Sequence, residues 1–108
     1  MKEILETATE LGLLIKDTDV WKNFDEISQI LEENSESKNL MNEFNAITEE
    51  HHRRRTAGDI IESYEEKNRL EIMEKVKSDP ILTKYITARE DYINMLTEIQ
   101  EAMKNDDF

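Results

Sequence analysis

The sequence predicts an all-α fold with about five helices and no sheet. Three observations carry that prediction. Apolar residues recur at three- and four-residue spacing along most of the chain, the period of a helix with one buried face. Only two Gly and one Pro stand among 108 residues, so helix breakers are confined to a few places. The polar runs between the apolar stripes carry the short side chains that cap helix ends. No β-branched run alternates apolar and polar, as a half-buried strand would.

The first stripe comprises Ile4, Leu5, Ala8, Leu11, Leu14 and Ile15, so residues 2–16 read as an amphipathic helix. Gly12 lies near that face and can permit close approach of another helix, at about 1 kcal/mol against Ala. Asp17-Thr18-Asp19 is a stop and restart. Thr18 can cap the next helix and Asp19 suits its positive end. Val20, Trp21, Phe24, Ile27, Ile30 and Leu31 make the second stripe. Trp21 and Phe24 could form a partner hot spot, but their fit to that stripe favours core packing.

Asn34-Ser35 repeats the capping chemistry. The third helix carries Leu40, Met41, Phe44 and Ile47, then turns polar over residues 49–55. Thr56-Ala57-Gly58-Asp59 is the clearest break: Gly58 can take the left-handed conformation that ends a helix, and Asp59 can cap the next. The fourth stripe is Ile60, Ile61, Tyr64, Ile72, Met73 and Val76, interrupted by the polar residues 65–69. Ser78-Asp79-Pro80 ends it, because the residue before Pro avoids helical angles while Pro suits a first turn.

The last helix opens at Asp79-Pro80 and continues without Gly or Pro. At about 100° per residue its apolar side chains sweep an arc of about 200°, roughly twice what a surface helix needs. Hydrophobic residues make up 37% of the chain and charged residues another 37%, which implies a thin core. A second copy is therefore expected against this helix, through Ile81, Tyr85, Ile86, Tyr92, Ile93, Leu96, Ile99 and Met103. Arg89 and Gln100 fall inside the arc, either snorkelling to solvent or fixing the register of an interface. The expectation is one domain over residues 1–108, its last three helices long and antiparallel, intertwined or packed as a dimer.

The net charge is −12. Such a surface repels phosphate backbones and anionic lipid heads, which argues against nucleic-acid and membrane partners. There is no cysteine, so disulfides, thiolate catalysis and Cys-ligated metals are excluded. The start of the chain has no signal-peptide pattern, and no apolar run approaches the roughly 20 residues that span a bilayer. A cytoplasmic protein is expected.

Chemistry is not written in this sequence. His51 and His52 are adjacent, point about 100° apart on a helix, and lack ligand spacing. A solvated helix face is the expectation for both. The carboxylates are plentiful, 26 in all, but nothing isolates a pair of them. Phosphate loops and nucleophile motifs are absent. No enzyme activity, cofactor or metal is expected. Arg53, Arg54 and Arg55 form the one basic cluster. It reads either as an anion or RNA contact at a hairpin tip or as cations placed at the negative end of a helix.

The strongest wording lies in residues 76–103: Asp79-Pro80-Ile81, Tyr85-Ile86-Thr87-Ala88, Met95-Leu96 and Ile99-Gln100. It resembles the YlbF/YmcA family of small helical bacterial regulators, linked to competence, sporulation and biofilm control. Members tend to carry Asn-Pro with a β-branched residue soon after, a Tyr-Leu-x-Ala-Glu-like run, paired aliphatics and Ile-Gln. A looser match is Leu40-Met41-Asn42-Glu43-Phe44, and Gly58 falls where the family often turns. Arg89 departs from the pattern, since an acidic residue is common there. The resemblance implies intertwined helical oligomers and a regulator or adaptor that binds another protein. Some members act in a complex that influences messenger RNA processing by ribonuclease Y and carries Cys-bound iron–sulfur clusters; the cluster role cannot transfer to this cysteine-free chain. Others are paralogues of unknown function. The rival reading is RNA binding through Arg53, Arg54 and Arg55.

Overall fold

The computed structural model describes residues 1–105 as five helices: α1 (Lys2–Lys16), α2 (Asp19–Glu33), α3 (Ser35–Thr56), α4 (Ser63–Ser78) and α5 (Pro80–Asn105). Among the described residues there is no strand. The all-α class and the number of helices are as the sequence predicts.

Local chemistry sets the boundaries. The Thr18 hydroxyl accepts a hydrogen bond from the Trp21 N–H at 3.1 Å and so caps α2. Asn34 caps α3 in the same way, its Oδ1 accepting from the Ser37 N–H at 3.0 Å. Gly58 adopts φ +87°, a left-handed angle that suits glycine. That turn lets the Asp59 N–H donate to the Arg54 carbonyl at 2.8 Å, closing the end of α3. Asp79 caps α5, its Oδ1 accepting from the Ile81 and Leu82 N–H groups at 2.9 and 3.2 Å. Pro80 fills the first helical position, where a missing N–H leaves nothing unpaired.

The start of α4 differs from expectation. Asp59 does not cap it. The helix begins four residues later, behind Glu62, whose N–H donates to the Glu65 carboxylate at 2.8 Å. Ile60 and Ile61 lie in the connection, and Ile60 and Tyr64 are 77% and 73% exposed. They do not belong to the buried stripe of α4, which begins further along with Ile72 and Val76.

The chain divides into two compact units. One is Ile30–Lys84, which holds the end of α2, the α3–α4 hairpin and the first residues of α5. There α3 and α4 run antiparallel: Ser37 at the start of α3 meets Asp79 past the end of α4, and Arg54 and Arg55 meet Glu65 and Glu66. Leu31, Ile72, Val76 and Leu82 are its buried apolar residues, with Ser37 and His51 the buried polar ones. The other unit is Met1–Gln29 with the described residues of α5 from Tyr85 on. Its buried residues are Ile27 and Ala88. Trp21 and Phe24 of α2 pack on Tyr92, at ring centroid distances of 5.4 and 5.1 Å, and Phe24 also meets Tyr85 at 5.8 Å. Core packing is thus the observed role of Trp21 and Phe24.

Candidate functional site

The basic cluster resolves into unequal parts. Arg54 donates to Glu65 at 2.6 Å and to the Ile60 carbonyl at 3.0 Å, bracing the connection between α3 and α4. Arg55 donates to Glu66 at 3.2 Å, and Arg69 reaches the same carboxylate at 2.6 Å. The Arg54 guanidinium, then the Glu62 N–H, hold the Glu65 carboxyl below its ordinary range. Arg69 does the same for Glu66, helped by the charge of Arg55. Arg53 is exposed and pairs with no carboxylate among the described residues. Two of the three cations are therefore committed inside the hairpin. The interruption of the α4 stripe begins with Glu65 and Glu66, which meet Arg54 and Arg55 of α3.

His51 corrects an expectation. It is 6% exposed, not part of a solvated face, whereas His52 is exposed. His51 stands four residues after the half-buried Ile47, on the side of α3 that meets α4, and His52 is turned about 100° away. The His51 Nδ1 lies 3.7 Å from Glu66 Oε2, too far for a hydrogen bond, and has no partner among the described residues.

At the other end of the hairpin, the buried Ser37 hydroxyl donates to Asp79 Oδ2 at 2.6 Å. That bond, followed by the N–H groups of Leu82 and Ile81, holds the Asp79 carboxyl below its ordinary range against the opposing effect of burial. One carboxylate thus pins the first turn of α3 and caps α5.

The predicted interface residues of α5 separate into two groups. Ile81, Tyr85, Tyr92, Leu96 and Ile99 are half-buried, Tyr85 and Tyr92 against the chain's own Phe24 and Trp21. Ile86, Ile93 and Met103 are 40%, 42% and 48% exposed. Arg89 and Gln100 are exposed.

α1, which the sequence predicts to be an amphipathic helix with one buried face, leaves large aliphatic side chains exposed around its circumference. No α1 residue is buried, and Ile4, Leu5, Leu13 and Leu14 are 61–67% exposed. An open groove runs along it, lined by Ile4, Thr7, Ala8 and Leu11, with Glu3 and, from α5, Met103. Gly12 has nothing within 4 Å of the space a Cβ would fill, so no close helix approach uses it here. The sequence carried no signal of this: the α1 stripe is as regular as the others, and periodicity does not say which stripes face each other.

Among the described residues, no group of three His, Cys, Asp or Glu side chains could hold a metal ion. With no cysteine in the chain, the residues present do not fit a Cys-bound cluster. No described helix is long and apolar enough to cross a membrane.

Fold and surfaces together define an acidic, all-helical chain that leaves apolar helix residues exposed. The chain belongs to the YlbF/YmcA family, described as control of competence regulator ComK, whose model matches residues 4–106. Its fold is similar to that of Bacillus subtilis RicA, solved by X-ray crystallography in complex with RicF. That likeness has a TM-score of 0.73 and 16% sequence identity, covering 95% of this chain and 91% of the other. At such identity it speaks to fold alone. No curated protein matches the sequence.

Proposed function

We propose that this protein is a non-enzymatic regulator that acts by binding other proteins, in the control of bacterial development or messenger RNA processing, and that it self-associates through α5. The observation that carries this reading is apolar helix surface left uncovered: Ile86 and Ile93, at 40% and 42% exposure, lie on one flank of α5. Arg89 and the neutral Gln100 lie on the same flank. Membership of a competence-control family supports the regulatory role, and the crystallisation of RicA with RicF supports contact with a partner protein. RNA binding through Arg53, Arg54 and Arg55 is the weaker reading, because Arg54 and Arg55 already hold Glu65 and Glu66.

Light scattering at micromolar concentration tests the assembly. The expected mass is a dimer or a multiple of it, falling to that of one chain in Ile86→Asp/Ile93→Asp while the circular dichroism helix signal is kept. A monomeric unmodified protein sinks the self-association. RNA binding that weakens steeply with salt and disappears in Arg53→Glu sinks the protein-adaptor reading in favour of its rival.

A further inference from the structure

We propose that the groove along α1 is a docking site for a basic amphipathic helix of a partner protein. This rests on the reading of the chain as a protein-binding regulator and adds the site and the chemistry of the partner.

Three features of the unit containing α1 converge. The groove is mostly apolar, lined by Ile4, Ala8 and Leu11 of α1 and Met103 of α5. From Glu3 to Leu11 it extends about 12 Å, the length of two helical turns, which suits anchors spaced i, i+3 or i+4, and i+7. Its edge is acidic. Glu3, Glu6 and Glu10 are spaced by three and four residues, so they form one row along α1, and all three are exposed. Among the described residues none of them pairs with a cation, in contrast to Glu65 and Glu66 in the hairpin.

Charge selects the occupant. A second copy of α1 would bring the same carboxylate row to the groove. A helix with lysines or arginines beside its apolar anchors would instead complement the row and be steered to it. The apolar contact gives affinity, and the carboxylates give orientation and selectivity against acidic helices.

Two synthetic helical peptides test this against the full chain, read by fluorescence anisotropy. Both carry leucines at i, i+3 and i+7; one flanks them with lysines and the other with glutamates. The lysine peptide is expected to bind, more weakly as salt rises, and the glutamate peptide to bind about tenfold or more weaker. Glu3→Lys/Glu6→Lys/Glu10→Lys, three exposed changes, is expected to reverse the preference. Ala8→Trp, which fills the groove, is expected to abolish binding of either peptide. Failure of the lysine peptide to bind overturns the proposal, as does an unchanged preference in the triple variant. A loss of oligomer mass in Ala8→Trp would place a second copy in the groove and overturn it as well. A monomeric unmodified chain, by contrast, sinks only the self-association through α5 and leaves this binding measurable.

Discussion

In the α3–α4 hairpin, Arg54 and Arg55 meet Glu65 and Glu66 across the packed helices, Arg69 braces Glu66 from within α4, and Ile72 and Val76 are buried. In α1, no residue is buried and four large aliphatic side chains are at least 61% exposed. Both regions show the same helical periodicity in sequence. The difference shows that helix formation and helix burial are decided at separate levels. Propensity, capping and period fix a helix locally, whereas its stability in water comes mostly from what its apolar face meets. The hairpin finds its partners within about 40 residues of chain. α1, at 15 residues, has a length at which an isolated helix is marginal in water, so a covering surface would stabilise it.

The sharpest way to break that comparison is to truncate matched leucines. Leu82 is fully buried in the hairpin unit, and Leu82→Ala is expected to lower stability by about 2–5 kcal/mol, the range for a buried aliphatic. Leu5→Ala removes the same atoms from a residue 61% exposed, and its effect in dilute monomeric protein is expected within about 0.5 kcal/mol. Urea unfolding midpoints measure both. Equal losses would mean that α1 is covered, and that the contrast between the two regions is wrong.

A smaller effect is expected at the Ser37–Asp79 pin. Ser37→Ala removes a hydrogen bond to a carboxylate and is expected to cost about 1.5–3 kcal/mol near neutral pH. The pH dependence gives a second readout. Asp79, Glu65 and Glu66 all have lowered native pKa values, so their contribution is fully present above the unfolded values, about pH 4, and is lost as pH falls through the depressed native ones. Ser37→Ala lets the Asp79 carboxyl rise toward its ordinary range, which should flatten the acid limb of stability measured from neutral pH to about pH 2. An acid limb as steep as in the unmodified protein would show that the hydroxyl does not hold that carboxylate.

How much was legible in the sequence follows the same division. The Thr18, Asn34 and Asp79 caps and the left-handed Gly58 were readable because each depends on a few adjacent residues. Asp59 was misread as a cap because Glu62 competes for the role, with Glu65 three residues on to complete the turn. The burial of His51 was not legible, since adjacent His51 and His52 look identical until α4 lies against one of them. Nor was the division of the arginines, which depends on Glu65 and Glu66 returning across the turn. The aromatic cluster was half legible: the α2 stripe predicted packing for Trp21 and Phe24, while Tyr85 and Tyr92 were assigned to a partner chain. Both meet those rings within their own chain.

A further expected effect, smaller than those at Leu82 and Ser37, has the opposite sign. Gly12 sits inside α1 with open space where a Cβ would go, and its backbone is helical. Gly12→Ala therefore meets no clash in the single chain and removes the backbone entropy that glycine loses on folding. The expected change is a gain of about 0.5–1 kcal/mol. Thermal unfolding of dilute protein and of protein at high concentration separates two cases. If Gly12 faces solvent in every state, the midpoint rises at both concentrations. If a partner helix packs directly on Gly12, the added methyl holds that helix away, and the gain turns into a loss once the partner is present. The basic peptide proposed for the groove is the natural probe. Its affinity should be nearly unchanged in Gly12→Ala, because Gly12 is not among the groove's lining residues. A strong loss of peptide binding in this variant would move the docking face around α1, from the row next to Glu3 and Thr7 to the side that carries Leu5 and Gly12.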